Sequence, residues 1–178
     1  ALFLAQNFSF FRGFGQPRPS PTNNNSYLRQ WKGRQTQDGY DFFLAAGGLK
    51  EVADAYPKGL DGMRIEFWDE MMKHPNYDQF WKERNILPKL RNIKCATMTV
   101  GGWYDNEDLY GALETYRHIE KQNPGIYNVL VMGPWFHGGW SRADGDFLGN
   151  IRFGSTTSVF YREEIELPFF NCVLKDKC

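Results

Sequence analysis

Thr97–Asp108, TMTVGGWYDNED, is the stretch whose reading decides the fold. Ala96–Val100 has the apolar character of a buried strand, Gly101-Gly102 breaks it, and a loop ending in carboxylates leads into a helix. A strand that runs into glycines and delivers an Asp at its carboxyl end is where open α/β sheets carry their chemistry. Tyr127–Met132 is a second run of the same kind, and it ends in Gly133-Pro134-Trp135-Phe136-His137-Gly138-Gly139-Trp140. The helix between them, expected over Glu107–Gln122, places Leu109, Ala112, Leu113, Tyr116 and Ile119 on one side and stops at Asn123-Pro124-Gly125. Two apolar strands joined through a helix imply a parallel pair with a right-handed crossover. Asp105 and His137 then stand at the ends of neighbouring strands. That is a geometry for an Asp–His pair, and such a pair needs a nucleophile.

Working outward, Ser141–Asn150 is polar and Ile151–Phe153 is a short apolar stretch. Ser158–Leu174 reads as a long helix that Pro168 kinks or interrupts. Before residue 93 the chain changes character, to short helices with aromatic faces. Helical spacing runs over Ala1–Phe14, Gln16–Asn25 forms a proline-containing arm, and Tyr40–Leu44 is a short apolar run. Short helices are expected over Leu49–Ala55 and Met63–Met72, the latter capped by Asp61 with Ile65, Trp68, Met71 and Met72 on one face. Asn76 with Gln79 has the form of a capping box opening a helix over Tyr77–Asn85 that buries Phe80 and Trp81. Residues 1–92 therefore read as a mainly helical cap or lid. Residues 93–178 read as part of an α/β domain built on a parallel sheet.

The 178 residues carry 21 basic and 21 acidic side chains, which gives no pull toward nucleic acid or an anionic membrane. No apolar run is long enough to span a bilayer. Aromatic content of 17% fits a large core, an aromatic-lined pocket, or both. The three cysteines, Cys95, Cys172 and Cys178, form no metal spacing, and Cys95 is expected to be a core thiol. There is no HExxH, clustered His/Cys set, GxGxxG or P-loop, so neither a metal nor another cofactor is expected. The chain begins at Ala1 inside an apparently amphipathic element. Its N-terminus is therefore expected upstream, and the compartment stays open between periplasmic or secreted and cytoplasmic.

Among the chemical candidates, Asp105 suits either a triad acid or a helix N-cap. His137, flanked by glycines that allow close backbone approach, is the candidate base. His74, at a helix end before Pro75, and His118, on a polar helix side, read as structural. Glu107 and Asp108 either complement the helix dipole or face a cation such as a substrate α-ammonium. No G-x-S-x-G surrounds Ser9, Ser20, Ser26, Ser141, Ser155 or Ser158, so no nucleophile elbow is present.

GGWYDNEDLYGALETYRHIEK with NVLVMGPWFHGGW closely resembles the X-Pro dipeptidyl-peptidase/cocaine-esterase-type hydrolases. The resemblance is greatest to the branch of α-amino acid ester hydrolases and glutaryl 7-aminocephalosporanic acid acylases. FSFFRGFGQPRP and GYDFFL resemble that branch's cap, HPNYDQFWKERNILPKLRNIK its return to the catalytic domain, and GNIRFGSTTSVFYREEIELPFFNCVLK the segment before its jelly roll. The resemblance implies part of an α/β-hydrolase fold. In it Asp105 is the triad acid and His137 the base, while Glu107 and Asp108 bind the substrate α-ammonium. Trp103 and Tyr104 are assigned with them to substrate contact. The serine, the oxyanion-hole tyrosine and a third carboxylate of the family belong upstream of Ala1.

The expectation is thus a piece of a serine hydrolase acting on small-acyl esters or amides, such as α-amino acid esters and β-lactam side chains. The rival within the class is an X-Pro dipeptidyl-peptidase, and the rival of another class is an inert fragment or interaction module. Missing neighbouring strands would leave apolar faces open, so a homo-oligomer is expected.

Overall fold

The computed structural model describes residues 66–177 together with residues 44, 47–49, 51 and 54. The expected helix over Ala1–Phe14, the proline arm and the Asp61 cap lie outside the described residues, as does most of Tyr40–Leu44 and of Leu49–Ala55. The chain divides into two compact units, Ala1–Arg84 and Asn85–Cys178.

In the first unit, helix α1 (Glu66–Lys73) buries Trp68 and Met71. The Trp68 indole donates to the Leu49 carbonyl at 3.0 Å, which satisfies its one polar atom. Helix α2 (Gln79–Arg84) starts two residues later than the sequence implied, and its cap is Asp78 rather than Asn76. Asp78 Oδ1 accepts from the Phe80 N–H at 3.0 Å while Oδ2 pairs with His74 Nδ1 at 2.6 Å. A carboxylate holds both a helix N–H and an imidazole, which a neutral Asn does less well. Phe80 and Trp81 are only half-buried, contrary to expectation. They meet edge to face at 5.0 Å, and the Arg84 guanidinium covers the Phe80 ring at 3.5 Å.

The second unit opens with a 3-10 turn at Leu87–Lys89, where Pro88 needs no donor. Strand β1 (Thr97–Gly102), helix α3 (Leu109–Gln122) and strand β2 (Asn128–Gly133) follow. The strands pair in parallel from Thr97↔Asn128 to Gly102↔Gly133. This is the parallel sheet with flanking helices expected of an α/β-hydrolase piece. Asn123 locks the end of α3. Its side chain donates to the Ile119 and Leu90 carbonyls, both at 2.9 Å, and accepts from the Ile93 N–H at 2.8 Å. Gly125, at φ 88°, then lets the chain turn back.

Three features differ from expectation. Gly101 and Gly102 do not break β1; they belong to it, opposite Met132 and Gly133. Their role is close approach. A Cβ on Gly101 would stand 2.9 Å from Met132 Sδ and 3.0 Å from Ala112 Cβ, and one on Gly102 would overlap the Trp135 carbonyl. Gly102→Ala is expected to cost about 3 kcal/mol of stability, read as a lowered denaturation midpoint; an unchanged midpoint would contradict this packing. Second, Thr97–Val100 are half-buried rather than buried, because each strand has a single hydrogen-bonded neighbour among the described residues. Third, Cys95 is an exposed free thiol, since it lies in the connection before β1 and not in the strand.

The polar stretch after β2 is more ordered than its composition implied. It forms a short helix α4 (Gly139–Arg142) and an antiparallel hairpin, β3 (Phe147–Leu148) with β4 (Ile151–Arg152). The final helix is a composite of α5 (Thr157–Phe160), a π-helical turn (Tyr161–Glu166) and α6 (Leu167–Lys175). Pro168 falls in the first turn of α6, where its missing N–H and fixed φ are tolerated, so the helix changes pitch instead of stopping. Trp135, Tyr161, Phe169 and Ile119 are the buried large side chains of this unit. Among the described residues no helix is long and apolar enough to cross a membrane.

Candidate active site

The last residues of β1 and β2 lie side by side, and the loops that leave them are stitched together. The Trp103 N–H donates to the Gly133 carbonyl at 2.8 Å and the Tyr104 N–H to the Trp135 carbonyl at 3.2 Å. Both bonds fix where the next residue of β1's loop, Asp105, must point. Its side chain is 2% exposed. The N-cap position of α3 is taken by Asp108 and not by Asp105, whose two oxygens are engaged one in the turn before α3 and one toward His137. Oδ1 accepts from the N–H groups of Glu107 at 2.9 Å and Asp108 at 3.0 Å, and Oδ2 faces His137 Nδ1 at 3.0 Å.

His137 leaves β2 through Gly133-Pro134-Trp135-Phe136. The loop reverses at Gly138, whose φ of 72° is the left-handed region that favours glycine. Trp135 is buried, and its indole N–H donates to Thr157 Oγ1 at 2.9 Å. The Arg142 guanidinium donates to the His137 carbonyl and, at 3.3 Å, to that of Gly138. With Nδ1 against a carboxylate, the neutral ring carries its proton there and leaves Nε2 as its acceptor.

The surrounding charge favours protonation of His137. The hydrogen bond that Nδ1–H donates to Asp105 is the main reason that the His137 pKa is raised above the ordinary 6.5. Burial works against the rise, and the negative charges of Asp105, Glu107 and Asp108 add to it. For Asp105 itself, burial pushes the carboxyl up. The Asp108 and Glu107 N–H groups together with His137 outweigh burial and hold it below the ordinary 3.8.

Glu107 and Asp108 are also brought to this imidazole. Glu107 Oε2 stands 4.0 Å from Nε2 and Asp108 Oδ2 stands 3.7 Å from Nδ1, with both side chains exposed. They precede α3, which starts at Leu109 and has no acid in its first turn, and Asp108 makes no capping hydrogen bond. Asp108 thus brings a charge to the N-terminus of α3, while its carboxylate and that of Glu107 also lie near the imidazole and open to solvent. Trp103 and Tyr104 are 54% and 49% exposed, and Tyr104 stacks on Phe153 at 6.4 Å. A cleft of about 390 Å³ opens beside the pair, lined by Asp105, Asp108, His137, Gly101, Ala112 and Trp140 among others. The other two histidines are engaged locally: His118 Nδ1 meets the Glu114 carbonyl at 2.8 Å, and His74 meets Asp78.

Residues 18–139 match the family model described as X-Pro dipeptidyl-peptidase (S15 family). The chain belongs to this family. Within its span fall both strands, Asp105 and His137. The chain is 29% identical over 108 residues to cocaine esterase of Rhodococcus sp. (strain MB1 Bresler), across 57% of this chain and 18% of that protein. Among solved structures it resembles an α-amino acid ester hydrolase, at 34% identity and a TM-score of 0.70, over 81% of this chain and 23% of that one. It also resembles an aminopeptidase from a marine sediment archaeon, Thaumarchaeota archaeon, at 31% identity and a TM-score of 0.69, over 80% and 23% of the two chains. The chain therefore spans about a fifth of the length of these relatives, and the fold it shares with them is the α/β-hydrolase fold.

Sequence reasoning missed the side chains that bond the loop carrying His137. Arg142, Thr157, Ser158 and Arg162 all bond the loop that carries it or its flanks. Isolated Arg, Ser and Thr residues in polar stretches carry no motif that would have marked them.

Proposed function

We propose that this chain supplies the acid and the base of a serine hydrolase of the esterase/peptidase type. Its substrates are esters or amides of small acyl groups that bear a free α-ammonium. The observation that carries the reading is the 3.0 Å contact from a buried Asp105 carboxylate to Nδ1 of His137, a residue that lines the cleft. The nucleophile is a serine from outside these 178 residues. Of the described serines, Ser141 and Ser158 donate to the Gly138 and Gly139 carbonyls and serve the loop instead.

In this mechanism His137 Nε2 takes the serine proton as the oxygen attacks the acyl carbonyl. The imidazolium then passes that proton to the departing alcohol or amine, forming the acyl-enzyme. Water repeats the sequence, and the acid and the free serine are released. Asp105 holds the tautomer and offsets the imidazolium charge. Glu107 and Asp108, exposed at the rim, receive the substrate ammonium. Family membership and the likeness to an α-amino acid ester hydrolase support this choice over a chain without catalytic role. The rival reading, an X-Pro dipeptidyl-peptidase, shares the free amine and is favoured by the family description.

The intact enzyme, assayed with α-amino acid methyl esters and X-Pro anilides, is expected to turn over the esters faster and to bind a fluorophosphonate covalently. Faster cleavage of the anilides would move the assignment to the peptidase. No labelling and no turnover would defeat the hydrolase reading.

A further inference from the structure

The π-helical turn Tyr161–Glu166 touches both arms of the Asp105–His137 pair. Tyr161 is buried against Trp135, ring centroids 5.3 Å apart, in the stretch between β2 and His137. Its hydroxyl donates to Glu166 Oε1 at 3.1 Å and lies 3.9 Å from Met98 Sδ of β1, the strand that delivers Asp105. The adjacent Arg162 reaches the other arm. Its Nη1 donates to the carbonyls of Trp140 and Ala143, both at 2.9 Å.

Those two carbonyls belong to the end of α4, the four-residue helix that begins two residues after His137. A helix this short is not stable by itself, and the carbonyls of its last turn lack intrahelical partners. Five carbonyls from His137 to Ala143 accept from side chains, those of Gly138 and Gly139 in addition to backbone N–H groups. Arg142 holds His137 and Gly138, and the buried Ser158 hydroxyl holds Gly139 at 3.2 Å. Arg162 holds Trp140 and Ala143. Arg142 and Ser141 belong to the segment itself, so they cannot fix its place. Ser158 and Arg162 come from the composite helix, and of these Arg162 carries the charge-assisted pair of bonds. π-helical geometry is rare, and it is frequent at functional sites.

We propose that Arg162 is a positioning residue. Presented by the π turn that also packs on the Asp105 strand, it fixes the His137 loop so that Nδ1 stays within hydrogen-bond reach of Asp105. The proposal rests on reading His137 as the general base. Its test is chosen to be independent of turnover.

The His137 ring is titrated by NMR in the 178-residue chain and in Arg162→Ala and Arg162→Lys, with melting recorded in parallel. Arg162→Ala is expected to lower the His137 midpoint toward 6.5, as the Asp105 bond loosens, and Arg162→Lys to recover part of the shift. In the intact enzyme kcat should fall by about 10²-fold with KM little changed, the usual consequence of a small misplacement of a reacting group. A folded Arg162→Ala that melts lower but titrates as wild type would overturn the proposal, because Arg162 would then stabilise without positioning. Should Arg162→Ala fail to fold, Arg162→Gln, which loses the charge and keeps much of the side chain, decides, and a wild-type midpoint there overturns it equally. If the midpoints move as expected but the intact wild type hydrolyses nothing, the positioning stands and the functional reading fails.

Discussion

Asp105→Asn in the intact enzyme is expected to lower kcat by about 10³- to 10⁴-fold, with KM little changed. The substitution is chosen because it separates the two tasks of this side chain. An Asn carbonyl oxygen can still accept from the Glu107 and Asp108 N–H groups, as Asp105 Oδ1 does. The turn that leads into α3 therefore keeps its hydrogen bonds. What changes is the atom facing His137 Nδ1, where an NH₂ donor replaces an acceptor. The imidazole must then accept at Nδ1 and carry its proton on Nε2, the wrong tautomer for a base. Turnover within tenfold of wild type, in a protein of unchanged melting temperature, would remove Asp105 from the mechanism. The loss of activity should come with a change in pH dependence. In wild type His137 must be neutral to act, and its pKa is raised chiefly by the Asp105 hydrogen bond, so the acid limb of kcat/KM lies above 6.5.

The same shifts have the opposite bearing on stability. A histidine with a raised folded pKa contributes stability that is full below its unfolded value and lost as pH rises through the folded one. Asp105, held below 3.8, contributes stability above that value that is lost as pH falls through its folded pKa. The pair therefore stabilises the fold most between about 3.8 and 6.5. Activity that needs a neutral imidazole is expected to be highest above that window.

Neutralising the rim carboxylates together, Glu107→Gln with Asp108→Asn, is expected to act in opposite directions on two substrates. An ester with a free α-ammonium should lose about 10- to 100-fold in kcat/KM, the scale of losing charge-assisted hydrogen bonds at an exposed site. An uncharged ester should instead gain rate at acidic pH. Both carboxylates raise the His137 pKa, so removing their charge moves the acid limb down and leaves more neutral imidazole. The opposed signs separate substrate recognition from general damage to the site. Equal losses on both esters would show that Glu107 and Asp108 do not read the ammonium.

The strands, the connecting helix and the Asp105–His137 juxtaposition were legible in the sequence, because apolar runs and a helical stripe of period 3.6 report burial directly. The functions of Gly101 and Gly102 were not. A double glycine reads as a break, and only the neighbouring Met132 and Trp135 reveal that it admits close packing inside a strand. The capping role of Asp78 was assigned to Asn76 for a related reason. Both side chains can cap, and the choice was made by His74, a partner outside the motif. Pro168 signalled a disturbance in the last helix, but its form as a π turn depends on what Tyr161 and Arg162 contact. In each case the pattern gave the element, and the non-local partner decided the detail.

The most direct test is the titration of the His137 ring by NMR in wild type and Asp105→Asn. The account predicts a wild-type midpoint above 6.5 and a clear fall when Asp105 is neutralised. A wild-type midpoint at or below 6.5, or one that Asp105→Asn leaves in place, would contradict the claim that these two residues form the acid–base pair.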